Sequence, residues 1–145
     1  PFSISTARTL PHEKISEWIN ESKENYLIFG SDKELEEAEK IIKNNNDVSI
    51  TSLCGKYSLR ESMSLISLCK YALATDSGLG HISSIIGVPT ISFFGANRSI
   101  VTGPIGEYSI SIDKSHRCKP CRKNICCLRS ITKADVNSSI IKILS

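Results

Sequence analysis

Apolar residues along this chain switch repeatedly between two spacings, consecutive or alternate in short runs and every third or fourth position in longer ones. The short runs predict strands over 2–5 (FSIS), 25–30 (NYLIFG), 48–53 (VSITSL), 71–75 (YALAT), 90–95 (TISFFG) and 108–112 (YSISI). The longer spacing predicts helices over 11–22, 31–46, 58–70, 80–87 and 132–144. In the first helix Pro11 stands at the entry and Ile15, Trp18 and Ile19 share a face. In the second, Leu35, Ala38, Ile41 and Ile42 form a stripe, with acids early and lysines late, as the helix dipole favours. Ser58 with Glu61, and Thr132 with Asp135, have the spacing of capping boxes. Leu59, Met63, Ile66 and Cys69 share one face of the third helix.

Strand and helix alternate through most of the chain. Parallel strands need crossover helices, so the alternation predicts an α/β fold: a doubly wound, mainly parallel sheet with helices on both faces. In such sheets ligands bind beyond the carboxyl ends of the strands. The turns that fall there read FGSDKE, LCGKYSL, ATDSGLGH and FFGANRS, all four with glycine and serine. Together they make a rim suited to a nucleotide or sugar phosphate.

Bulk composition narrows the reading further. The 145 residues suffice for one domain with a real core, and 40% hydrophobic with 23% charged is ordinary for a globular chain. A net charge of +3 is small, and the basic excess sits in DKSHRCKPCRKN at 113–124, without interleaved aromatics. That excludes a dedicated nucleic-acid surface and reads as a solvated loop, or as counter-charge for an anionic ligand or membrane surface. No apolar run is long enough for a membrane span. The chain begins at Pro1, already inside what reads as a strand, so a piece of a longer protein is expected.

Six cysteines are present. Cys54 and Cys69 lie in apolar segments and read as small hydrophobes; a reduced, cytoplasmic chain is expected. Cys118, Cys121, Cys126 and Cys127 have the donor types of a zinc site, but adjacent Cys126 and Cys127 point apart. Buried thiols or a labile disulfide are the preferred reading of that tail, and no metal is expected.

The densest chemistry lies in ATDSGLGHISSIIGVPTISFFG, residues 74–95. Asp76, Ser77, Gly78, Leu79, Gly80 and His81 fall at a strand-to-helix turn, where backbone N–H groups and the helix dipole favour an anion. Taken singly, Asp76 also fits a turn cap and His81 a packed first-turn histidine.

Residues 53–99 resemble the C-terminal domain of glycosyltransferases typified by the ADP-heptose:lipopolysaccharide heptosyltransferases, glycosyltransferase family 9. The likeness rests on the glycine turn before Ser58–Leu59–Arg60–Glu61, on Asp-Ser-Gly-x-x-His at 76–81, and on Pro89 followed by a strand ending in Phe-Gly. It extends upstream to ARTLPHEKISEWI and downstream to the cysteine tail. The resemblance implies a Rossmann-like half of a GT-B enzyme that holds the nucleotide-sugar donor. An N-terminal acceptor domain, which this chain lacks, would carry the general base, so no catalytic residue and no transfer by this chain alone are expected.

By the same resemblance, residues 76–81 bind the diphosphate of the donor, with His81 easing the charge of the leaving group. Asp76 accepts from sugar hydroxyls or loop amides. Arg8 clamps phosphate, and residues 55–58, Tyr57 and Ser58 among them, meet the base; Glu34 is placed to accept from ribose hydroxyls, or is equally an ordinary acid at a helix N-terminus. ADP-heptose is the implied donor and the lipopolysaccharide core the implied acceptor, with no cofactor and with peripheral association at the inner membrane. Leu10 for the usual tryptophan, and Ala96-Asn97 for Pro-Thr, depart from the pattern and admit a related sugar. Two other classes remain open: a stand-alone nucleotide-binding or regulatory module, and a zinc-ribbon-like interaction module built on the tail.

Overall fold

Ile91 and Phe93 on one side of a single strand, and Thr90 and Ser92 on the other, are all buried, so that strand must be covered on both faces. The computed structural model describes residues 1–115 and 126–145. Its elements run α1 (His12–Ile19), β1 (Tyr26–Ile28), a 3-10 turn (Asp32–Glu34) leading into α2 (Leu35–Lys43), β2 (Ile50–Ser52), α3 (Leu59–Ile66), β3 (Ala72–Thr75), α4 (Gly78–Ile85) and β4 (Thr90–Phe94). They end with α5 (Ser99–Thr102), β5 (Ser109–Asp113), α6 (Cys126–Arg129) and α7 (Lys133–Leu144).

Every described strand pair is parallel, as the alternation predicts. The strands form two groups, β1–β2 and β3–β4–β5 with β4 in the centre. In the second group Thr90 pairs with Ala72 and with Ser109, and Phe94 ends opposite Asp113. On one face of β4, Phe93 stacks on Trp18 of α1 with ring centroids 4.7 Å apart, and the indole N–H donates to the Ile131 carbonyl at 3.3 Å. Leu128, Ile131 and Val136 complete that core. On the other face the contact is made of small polar residues: Ser83 of α4 meets the Thr90 hydroxyl at 3.0 Å, and its own hydroxyl donates to the Gly80 carbonyl. A second core, Phe2, Ile28, Ala38, Ile41 and Cys54, joins β1 and β2 to α2. Ile15 packs against both.

Three expectations from the chain's pattern are corrected. Residues 2–5 are not a strand. The Ser3 amide donates to the Thr9 hydroxyl, the Leu10 amide to the Pro1 carbonyl, and the segment folds back around a 3-10 turn at Thr6–Arg8. The Thr9 hydroxyl, a local partner, takes backbone groups a ladder would need. Second, the sheet is not continuous: β1 and β3 flank a cavity of about 1300 Å³, lined by Tyr26, Leu27 and Ile28 on one strand and Ala72, Leu73 and Ala74 on the other. Across it the Tyr26 and Tyr71 hydroxyls meet at 3.3 Å. Third, Leu27 in the run expected to be a buried strand, and Leu59 in an apolar stripe, are 43% and 59% exposed, because both face that opening.

The basic segment at 113–124 falls mostly outside the described residues. No helix among the described residues is long and apolar enough to cross a membrane.

Candidate functional site

The chain leaves β3 through Asp76 and enters α4 at Ser77. Ser77 is extended (φ −148°, ψ 160°), and its hydroxyl accepts the Gly80 amide at 3.4 Å, which caps the helix. Gly80 is required by packing: a Cβ there would stand 2.8 Å from the Thr75 carbonyl oxygen and 2.9 Å from the Ala74 Cβ. Gly78 is different. A Cβ at Gly78 would meet nothing within 4 Å, so the chain itself makes no demand for glycine at this exposed point. The amides of Gly78 and Leu79 have no intrahelical acceptor, as in the first turn of any helix. No acidic residue stands in that turn.

Asp76 is buried, its side chain 6% exposed, and its carboxylate is held by the protein. Oδ2 accepts from Asn97 Nδ2 at 2.6 Å, Thr102 Oγ1 at 3.3 Å and Arg8 Nη1 at 3.4 Å. Oδ1 faces His81 Nε2 at 3.5 Å. Arg8 is tied to the same strand end twice more, by Nη1 donating to the Asp76 carbonyl at 3.3 Å and by the Thr75 hydroxyl donating to the Arg8 carbonyl. The guanidinium remains about one-third exposed, as does His81. A buried carboxylate thus fixes two cationic or polar side chains that keep faces toward solvent beside an open helix N-terminus.

Other residues picked out from the sequence fall around this centre. Arg8, Glu34, Asp76, Ser77, Gly78 and Leu79 line the cavity between β1 and β3. Glu34 also closes a capping box: Oε2 accepts the Ser31 amide at 2.5 Å and the Ser31 hydroxyl at 2.7 Å. Ser58 does the same with Glu61 at the start of α3, at 2.8 and 2.7 Å, and those bonds hold the Glu61 carboxyl below its ordinary pKa. Tyr57 is half-exposed just before that helix. His81, Tyr57 and Ser58 stand outside the cavity lining.

Cys118 and Cys121 lie outside the described residues, and Cys126 and Cys127 open α6. Among the described residues no group of three or more His, Cys, Asp or Glu is placed to hold a metal. Cys54 is buried in the second core, where desolvation pushes its thiol pKa up; Cys69 is half-buried, and desolvation acts the same way.

Asn97 and Thr102 are the residues that the sequence does not reveal as partners of Asp76. Asn97 is visible only as a departure from a family pattern, and nothing in its spacing ties it to a carboxylate 21 positions earlier.

A family model, glycosyltransferase family 9 (heptosyltransferase), matches residues 8–132, well over half of the chain. The chain belongs to glycosyltransferase family 9. This family 9 chain is 28% identical over 100 residues to lipopolysaccharide heptosyltransferase 1 of Pseudomonas aeruginosa, covering 69% of the chain and 27% of the relative. It is 29% identical over 108 residues to lipooligosaccharide heptosyltransferase 2 of Campylobacter jejuni, covering 71% of the chain and 34% of the relative. It therefore spans about a third of the length of these relatives. Among solved structures, E. coli ADP-heptose lps heptosyltransferase II superposes with a TM-score of 0.83 at 22% identity, over 99% of the chain and 44% of that structure. E. coli heptosyltransferase WaaC with ADP gives 0.76 at 19%, over 98% and 42%. The matched portions of these structures share the α/β fold described above.

Proposed function

We propose that this chain is the nucleotide-sugar-binding part of a heptosyltransferase-like enzyme, and that the N-terminus of α4 holds the donor's diphosphate. The observation that carries this reading is the contrast at Gly78: an exposed first turn without an acid, beside Arg8, with open space where a side chain would stand. An anion there receives the first-turn amides and the positive end of the helix dipole. Arg8 supplies charge-assisted hydrogen bonds, and His81, oriented by Asp76, adds a donor as negative charge builds on the leaving diphosphate. Asp76 works here as the anchor of those donors, because its own oxygens are taken up by Arg8, Asn97, Thr102 and His81.

In this reading the donor is ADP-heptose or a related ADP-sugar, Glu34 meets the ribose, and Tyr57 and Ser58 lie near the base. The acceptor is the lipopolysaccharide core, bound by a second domain that also supplies the general base. The site of action is the cytoplasm, at the inner face of the membrane that carries the acceptor. The membership in glycosyltransferase family 9, and relatives named as heptosyltransferases, support the reaction class. This chain alone binds nucleotide and does not turn over, since closure by a partner domain is what completes such a site.

An NMR titration of the chain with ADP, UDP and GDP, followed at the amides of residues 77–81, tests the proposal. Shifts saturating with ADP and weaker with the others are expected. No shift with any of them at millimolar concentration overturns it, and heptose transfer by this chain alone overturns the division of labour.

A further inference from the structure

The two neutral donors that hold Asp76, Asn97 and Thr102, lie on one segment between β4 and β5. Apart from those bonds and the Gly106 amide donating to the Ser84 hydroxyl at 2.9 Å, little holds that segment in place around α5. Its helix, α5, is four residues long, too short to persist without outside support, and its cap residue Arg98 offers no side-chain hydrogen bond. Ile100 and Val101 are 84% and 76% exposed, so burial does not anchor it either.

At the start of α5 itself, one side chain does. Asp113 ends β5, opposite Phe94 at the end of β4, and its Oδ2 accepts the Ser99 amide at 2.7 Å, at the first residue of α5. Its Oδ1 accepts the Ser115 amide at 2.7 Å and the Ser115 hydroxyl. The carboxylate thus grips the end of its own strand with one oxygen and the start of α5 with the other. The Ser99 bond lies between the two residues that reach Asp76.

We propose that Asp113 is a positioning residue for the anion site: by holding the Ser99 amide it sets Asn97 and Thr102 on Asp76, and through Asp76 it sets Arg8 and His81. The inference rests on the reading of the α4 turn as the nucleotide site, and it names the element that keeps that turn organised. It gives the Ala96-Asn97 departure a role, because Asn97 is the closest donor to Asp76.

The test compares ADP affinity of the chain, by titration calorimetry, in four forms: wild type, Asp113→Asn, the pair Asn97→Ala with Thr102→Val, and all three substitutions together. Asparagine keeps one acceptor oxygen but cannot serve Ser99 and Ser115 as the carboxylate does. Asp113→Asn is expected to weaken ADP binding about tenfold, the pair by a similar factor, and the triple variant no further than the pair. Losses that multiply, or wild-type affinity in Asp113→Asn, overturn the proposal.

Ser99→Pro gives an independent second variant should Asp113→Asn fail to fold. It deletes the donor from the other side at a first helical position, and Arg98 before it is already extended (φ −94°, ψ 131°), as a residue preceding proline must be. It should reproduce the tenfold loss, and wild-type affinity in it overturns the proposal. If wild type binds no ADP, the nucleotide reading fails by itself. Asp113 is then judged without ligand, by the Asn97 side-chain amide signals in Asp113→Asn. They should move toward those of a free carboxamide, and unmoved signals overturn the positioning role.

Discussion

The turn that leaves β1 and the turn that leaves β3 share a plan: a strand, a serine at the cap, then a helix. After β1, Ser31 caps and Glu34 folds back onto its amide and hydroxyl, so the first turn is filled by the chain's own carboxylate. The start of α3 is filled the same way by Glu61. After β3, Ser77 caps alone; the third residue on is Gly80, pressed against β3 where no side chain fits. The starts of α2 and α3 each carry a carboxylate that would repel an anion, and the first-turn amides of α4 carry none. The same backbone physics thus closes the starts of α2 and α3 and leaves the start of α4 open, as the proposed site requires, and the residue type at the third position decides which.

Filling the space at Gly80 gives the largest effect. Gly80→Ala places a methyl 2.8 Å from the Thr75 carbonyl oxygen, so α4 must shift away from β3. A loss of about 1–3 kcal/mol of stability is expected by urea denaturation, as for overpacked interiors. Unchanged stability would mean that α4 is not seated by this contact, and the steric account of its missing acid would fail.

Next comes the conversion of the open turn into a filled one. Gly78→Asp puts a carboxylate where open space and helix dipole both accept it, so stability should hold or rise by a few tenths of a kcal/mol. ADP affinity should fall at least tenfold, about 1.4 kcal/mol. Retained ADP binding in a folded Gly78→Asp chain would place the diphosphate elsewhere.

Much of this contrast could be read directly from the sequence, and the part that could not has a physical reason. Ser58 with Glu61 and Thr132 with Asp135 announce their caps because a capping box is local, three residues wide. The run 90–95 announces a central strand because each of its residues has to be buried. Residues 2–5 show the limit of the same logic. Their alternation fits a strand, but the Thr9 hydroxyl offers the backbone a nearer partner, and composition does not reveal which wins. Leu27 and Leu59 look like core residues by period alone, yet they face the opening between β1 and β3, which exists only in three dimensions. The Asp76 cluster gathers Arg8, Asn97 and Thr102 from 68, 21 and 26 positions away, and only the parallel register that brings the strand ends together makes them neighbours.

A smaller effect separates the two roles available to Glu34. Glu34→Gln weakens the capping box, and about 0.5–1 kcal/mol of stability should go with it. The ribose role makes a further claim that capping does not: wild type should prefer ADP over 2′-deoxy-ADP, and Glu34→Gln should lose that preference. A preference that survives the substitution would confine Glu34 to its cap, and the turn after β1 would then be structural alone.

The smallest effect tests the support behind the open turn rather than the turn itself. Burial pushes the Asp113 carboxyl upward, but the hydrogen bonds from Ser115 and Ser99 outweigh it and bring the pKa from 3.8 down to about 2. A carboxyl depressed on folding contributes stability that is fully present above its unfolded pKa and is lost as pH falls through the folded one. Wild type should therefore lose a few tenths of a kcal/mol between pH 5 and pH 4 through this group, and more on the way to pH 2. Asp113→Asn removes the titrating group, so its denaturation midpoint should fall less steeply over that range, although it starts lower at pH 7. The other depressed carboxyls, Glu13, Glu61 and Asp135, remain in both proteins and cancel in the difference. Parallel acid slopes in the two proteins would mean that Asp113 is not held by Ser99 and Ser115 in solution, and the anchor beneath Asn97 and Thr102 would have to be sought elsewhere.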